Sequence, residues 1–410
     1  MIKKWFRNIG PGPLIAAAFI GPGTVTVCTL AGVGFGFALL WAMTLSIIAT
    51  IVLQEMAARL GIISQKGLAE ILRSEIKHPI LKGFAIVLTL SAIVIGNAAY
   101  EAGNISGGVL GLETIVGHQF IAFGDFSLNL LSLTIGCIAF ILLYIGNYKV
   151  LERVLVFLVI LMSLSFLFSA IITKPNLFKV FEGAFIPNFP KESLLTILGL
   201  IGTTVVPYNL FLHASLVKEK WKGESDLQYA RKDTFIAIIL GGLVSMCIIV
   251  SAASIDSFQI NNASDLAKGL EPVFGSFAKY FLSIGLFAAG ITSAITAPLA
   301  AAYVASGCLG WKTNLRSRKF RAVWIFILVL GVLFSSLNIK PITIIKFAQI
   351  ANGILLPIIA GFLLWVMNKE SALGVYKNSL KQNLLGFVIL VISLLLSIVA
   401  LNKVLQLNLF

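Results

Sequence analysis

Eleven runs of apolar residues separated by short polar stretches organise this chain: 12 to 33, 37 to 57, 83 to 112, 127 to 145, 150 to 173, 193 to 217, 234 to 254, 275 to 307, 323 to 338, 342 to 367 and 384 to 402. About 20 apolar residues in a helix cross the roughly 30 Å hydrocarbon layer of a bilayer. The pattern therefore predicts an all-α membrane protein with eleven transmembrane helices. Between the second and third runs, ISQKGLAEILRSEIK mixes apolar and charged positions and predicts a short amphipathic helix at the interface.

Two of the runs carry residues that a helix avoids. The first reads LIAAAFIGPGTVTVCTLAG, with Pro22 between Gly21 and Gly23; the sixth reads LGLIGTTVVPYNLFLHASLV, with Pro207 ahead of the polar Tyr208 and Asn209. Proline lacks an amide donor and clashes with the carbonyl four residues back, which frees the carbonyls of Ala18 and Thr203. In lipid such groups are costly unless they line a cavity. The breaks lie 185 residues apart, in runs one and six. Two five-helix repeats place equivalent helices there, and an odd repeat inverts its partner. Broken, inverted repeats point to a secondary transporter with its site at the midplane. The expected organisation is a single transmembrane transporter domain over 1–410, with repeat one at about 12–173, repeat two at about 193–367 and an extra helix at about 384–402.

Composition supports the membrane reading and narrows it. The 410 residues are 58% hydrophobic and 12% charged, with a mean hydropathy of +0.98, whereas soluble domains carry about 25% charge. The net charge of +14 is dispersed between apolar runs, which excludes a nucleic-acid stripe. With the N-terminus in the cytoplasm, 23 of the 31 Lys and Arg fall on the inner side; basic residues retained inside set orientation. An odd span count then puts the C-terminus outside. The basic start MIKKWFRNIGPG runs straight into the first apolar run and is expected to be retained. The expected location is a prokaryotic cell membrane. Cys28, Cys137, Cys247 and Cys308 show no ligand spacing and are expected to be core thiols. No HExxH and no nucleophile–His–acid set occurs in the sequence, so neither an enzyme nor a cofactor is expected.

At these same residues the chain resembles the Nramp (natural resistance-associated macrophage protein) family of proton-coupled divalent-metal transporters. GPGPLIAAAFIGPGT is similar to the family's first helix, and EMAARLGIISQKGLAE to the end of its second. KVLERVLVFLVILMSLSFL resembles helix five, and FEGAFIPNFPKESLLTILGLIGTTVVPYNLFLHASLV the segment through helix six. The resemblance implies a LeuT-type 5+5 inverted repeat with helices 1 and 6 broken. It also implies a metal site built from the Asp and Asn of a DPGN motif and the Met of an MPH motif. Here Gly21 stands at the Asp, Thr24 at the Asn, Val206 at the Met and Tyr208 at the His. A thioether selects soft or borderline metals, so its loss argues against manganese or iron. Glu101 matches a helix-three Glu of the family's proton route, although Ala98 replaces an Asp; His213 matches a helix-six His, and Gln349 a helix-ten Gln near the metal.

Substrate binding is therefore expected at Gly21, Thr24, Thr203, Val206, Tyr208, Asn209 and Gln349, with proton coupling at Glu101 and His213; no resident metal is assigned. Glu101 costs at least about 2.5 to 3.5 kcal/mol within a span and is either a proton carrier or a hydrogen-bonded structural acid. His213 is either a proton relay or a packing residue. Two cargoes are open. The family implies a divalent cation, here a hard ion held by neutral oxygens; the alternative is a small organic solute, such as an amino acid or carboxylate, at the half-helix N-termini. The expected partners are that ion or solute and the lipid bilayer. The Ala- and Gly-rich ITSAITAPLAAAYVASG is expected to permit close packing and to carry no chemistry.

Overall fold

An apolar stretch whose proline sits only in its first turn folds as an unbroken helix, because each later amide finds a carbonyl within the same element. The computed structural model describes residues 20–123, 126–146, 149–255, 260–312, 314–337 and 339–405. They form α1 (Pro22–Phe35), α2 (Leu40–Ser64), α3 (Leu68–Glu75), α4 (Pro79–Val116), α5 (Leu130–Ile145), α6 (Lys149–Ile172) and α7 (Leu177–Phe185). Then come α8 (Leu194–Thr204), α9 (Pro207–Lys220), α10 (Leu227–Ala252), α11 (Ala278–Leu309), α12 (Arg318–Ser335), α13 (Pro341–Met367) and α14 (Leu380–Leu405). Every expected apolar run overlaps one of these helices. Among the described residues, eight helical stretches are long and apolar enough to cross a bilayer, and α1 and α5 are shorter. The first half of the first run, including the Ala18 carbonyl, lies outside the described residues.

The 38-residue α4 is about 57 Å long at 1.5 Å per residue, well beyond the hydrocarbon thickness. It forms a central post. α11 packs along it, and α12 and α13 flank it. The two helices approach closely at Gly290 of α11, where a side chain would sit 2.7 to 2.8 Å from the backbone of Gly108. α14 lies on the outside against α13.

Two prolines inside helices do not break them. Pro298 sits within α11 and Pro357 within α13. Pro357 releases the carbonyl of Gly353, and the Ser397 hydroxyl of α14 lies 3.2 Å from it, sharing its one proton with the nearer Ser393 carbonyl at 2.7 Å. The added helix thus partly satisfies the freed carbonyl of its neighbour. An element that the sequence reading did not anticipate is a two-stranded antiparallel hairpin, β1 (Phe120–Phe123) and β2 (Phe126–Asn129), between α4 and α5.

The expectation of four core thiols is corrected. All four cysteines are free, but only Cys28 and Cys308 are buried; Cys247 is intermediate and Cys137 exposed. α5 turns an apolar face outward, with Leu133, Phe140 and Ile141 exposed beside Cys137, so an apolar run in a bilayer protein does not by itself mean an interior position.

Candidate functional site at the helix breaks

Gly21 is extended (φ −111°, ψ −172°), and Pro22 opens α1. Pro at the first helical position costs nothing, since its missing amide would be unpaired there anyway. The sixth run is broken outright. α8 stops at Thr204, Val205 and Val206 are non-helical, and Pro207 opens α9. The two elements meet: the hydroxyls of Thr24 and Thr203 lie 2.8 Å apart, both buried.

α13 closes the third side. A side chain on Gly23 would collide with the carboxamide of Gln349, so the absence of one at 23 is what lets Gln349 reach the break. Its Oε1 is buried without a hydrogen-bond partner among the described residues, as is Nδ2 of Asn352 one turn further on. Asn209, in the first turn of α9, leaves both side-chain atoms in the same condition. Buried polar atoms are normally paired. Several unpaired ones gather around the start of α1 and the break between α8 and α9.

α11 and α4 supply the remaining wall. A side chain on Gly21 would lie 3.0 Å from Oγ of Ser293, another buried hydroxyl without a partner. The Tyr208 ring packs edge-on against Tyr100 of α4, centroids 5.3 Å apart. The small-residue stretch of α11, expected to permit close packing and to carry no chemistry, places its Ser293 hydroxyl beside the Gly21 position. Tyr100, Ser293 and Asn352 escaped the sequence reading. Asn352 was within reach of it, three residues after Gln349 and so on the same helix face.

The remaining expected residues divide. Val206 is the extended residue preceding α9, and its carbonyl accepts from Asn209 N at 3.0 Å. Glu101 is fully buried, with Oε2 accepting from Asn104 Nδ2 at 3.4 Å and Oε1 unpartnered among the described residues. It packs against Gly331 of α12, next in sequence to the Tyr100 that touches Tyr208 but turned toward a different neighbour. His213 lies one turn beyond Asn209, its Nδ1 2.7 Å from Gln54 Oε1 and its Nε2 3.5 Å from Thr234 Oγ1. Among the described residues no three His, Cys, Asp or Glu side chains converge as a metal cluster. The site's polar groups are hydroxyls, carboxamides and backbone.

Comparison with known proteins places this geometry. A family model described as natural resistance-associated macrophage protein-like matches residues 12–403. The divalent metal cation transporter MntH of Staphylococcus haemolyticus is 26% identical, over 97% of this chain and 92% of its own length. Among solved structures, a manganese transporter of Eremococcus coleocola superposes with a TM-score of 0.76 at 21% identity, covering 98% of this chain and 87% of that one. MhsT in complex with L-phenylalanine gives 0.55 at 16% identity, covering 95% and 97%. The fold is thus the LeuT type shared by transporters of dissimilar cargo.

Proposed function

The chain belongs to the natural resistance-associated macrophage protein-like family of integral membrane transporters, and on that premise we propose that it carries a hard divalent cation across the bilayer by alternating access. The supporting observation is the donor set at the break. Thr24 and Thr203 offer paired hydroxyls, and Gln349 and Asn209 offer unpartnered carboxamide oxygens, where the family resemblance implies an Asp, an Asn and a Met. Magnesium-like ions prefer oxygen ligands and give up water reluctantly. A ring of neutral oxygens can hold such an ion with part of its hydration shell, and without a thioether it gives no advantage to manganese or iron. Glu101 provides the compensating charge and carries the coupled proton; His213 relays it. The repeats are 12–173 and 193–367, with the N-terminus inside and the C-terminus outside, as the basic residues imply.

A second reading is uptake of a small amino acid or carboxylate. Favouring it are the unpartnered donors Asn209 Nδ2 and Asn352 Nδ2, which no cation can use. The positive end of the α9 dipole also suits an anionic group. Proteoliposome uptake separates the two. The cation reading expects saturable magnesium uptake that a tenfold excess of manganese does not outcompete. Amino-acid or carboxylate uptake with no response to any divalent cation overturns it in favour of the second reading.

A further inference from the structure

Away from the helix breaks, α3, the first turn of α4 and the end of α11 border an open, groove-like cavity of about 460 Å³. Three separate segments bring cations to it: Arg73 from α3, Lys82 from α4 and Lys312 just beyond α11. None of the three has an acidic partner within ion-pair distance among the described residues. The carboxylate lining the cavity, Glu70, is itself neutralised by Lys218 Nζ at 3.0 Å.

A second observation is independent of charge. Ser306 also lines the cavity; it is 1% exposed and its hydroxyl has no hydrogen-bond partner among the described residues. Next to it, Gly307 leaves room that a side chain would take from Ala69 and from the Glu70 amide, 3.1 Å away. The Arg73 guanidinium lies over Gly310, whose φ of +70° ends α11. Three unpaired cations around a buried hydroxyl repel metal ions and suit a tetrahedral, doubly or singly charged oxyanion, to which Arg can donate two parallel hydrogen bonds.

We propose that the cavity between α3, α4 and the end of α11 binds a phosphate group through Arg73, Lys82, Lys312 and Ser306. Such a group arrives either on an anionic phospholipid, whose headgroups basic pockets beside membrane helices recognise, or as a soluble phosphate.

The test uses the full chain in nanodiscs. In one arm, discs of phosphatidylcholine are titrated calorimetrically with inorganic phosphate; in the other, thermal unfolding is compared between phosphatidylcholine discs and discs containing phosphatidylglycerol. Saturable binding in the first arm identifies a soluble phosphate ligand, and a rise in melting temperature confined to the second identifies a lipid headgroup. In either case the paired variant Lys82→Gln and Lys312→Gln, at positions whose side chains reach solvent, is expected to weaken the effect at least about tenfold or abolish the shift. Ser306→Ala should weaken it less, and Lys340→Gln, remote from the cavity, should leave it unchanged. No response in either arm overturns the proposal. So does a response that the paired variant leaves intact, or one that Lys340→Gln reduces equally.

Discussion

The hydroxyls of Thr24 and Thr203, 179 positions apart in sequence, meet at 2.8 Å where α1 begins and α8 ends. This one contact ties the starts of the two proposed repeats together beside the break between α8 and α9. A hydroxyl pair buried this way has two possible uses. It can hold the closed packing together, or it can open to share its oxygens with cargo.

Replacing Thr24 with Val distinguishes these uses. If the contact is only structural, the variant loses about 1 kcal/mol, the typical net contribution of one hydrogen bond, and transports normally once folded. The cargo role expects transport to fall at least about tenfold, chiefly through a raised KM, with a modest drop in melting temperature. Thr24→Ser, which keeps the oxygen, should restore most of it. Uptake kinetics on both variants decide the matter.

Gly23 gives a sharper steric test. A methyl there collides with the Gln349 carboxamide, and overpacking of this kind costs about 1 to 3 kcal/mol or forces the neighbour aside. Gly23→Ala is expected to abolish transport by moving Gln349 out of the break. Gly34→Ala serves as the control on the same helix, because nothing lies within 4 Å of where its Cβ would be. Equal activity in the two variants would remove Gln349 from the site.

Why these residues were only partly legible in the sequence follows from what sequence periodicity records. Proline and glycine announce broken backbone locally, so Pro22 and Pro207 marked the site before any coordinates. Yet Pro298 and Pro357 carry the same local signal inside continuous helices. What separates Pro357 is a distant partner, the Ser397 hydroxyl on Gly353, which local sequence cannot supply. Ser293 was hidden for the converse reason. It sits in a stretch whose small residues serve close packing against α4, and packing and lining look alike until the Gly21 position is placed 3.0 Å away. Glu101 was conspicuous as a buried acid, but its direction was not encoded. Adjacent helix positions point about 100° apart, so Tyr100 faces Tyr208 while Glu101 faces α12.

That orientation shapes the expectation for Glu101. If it carries the coupled proton from a position beside α12, Glu101→Gln should remove dependence on a proton gradient and leave cargo binding within about threefold. Gly331→Ala, which presses on the Glu101 side chain, should slow coupled uptake without changing the number of binding sites. Uptake with and without an imposed pH gradient provides the reading. Unchanged coupling in Glu101→Gln would falsify the carrier role and leave the carboxyl as a structural partner of Asn104.

The last prediction concerns the replaced ligands themselves. Combining Gly21→Asp, Thr24→Asn and Val206→Met supplies a carboxylate, a carboxamide and a thioether at the positions where the family resemblance implies them. Carboxylate charge offsets ion dehydration and sulfur favours borderline metals, so a surrounding shell still suited to metal should give the triple variant tighter manganese binding than the parent. The structure identifies the obstacle: a Cβ at position 21 would be 3.0 Å from Ser293 Oγ, tighter than ordinary contact. That hydroxyl must turn aside or donate to the new carboxylate. Adding Ser293→Ala removes the crowding and is expected to raise manganese affinity of the triple variant if steric pressure limits it, and to lower it if the hydroxyl steadies the carboxylate. Calorimetric titration of manganese into both variants separates these cases. No heat in either one shows that replacement of the ligands was accompanied by divergence of the shell around them, and it shifts the balance toward the organic-solute reading.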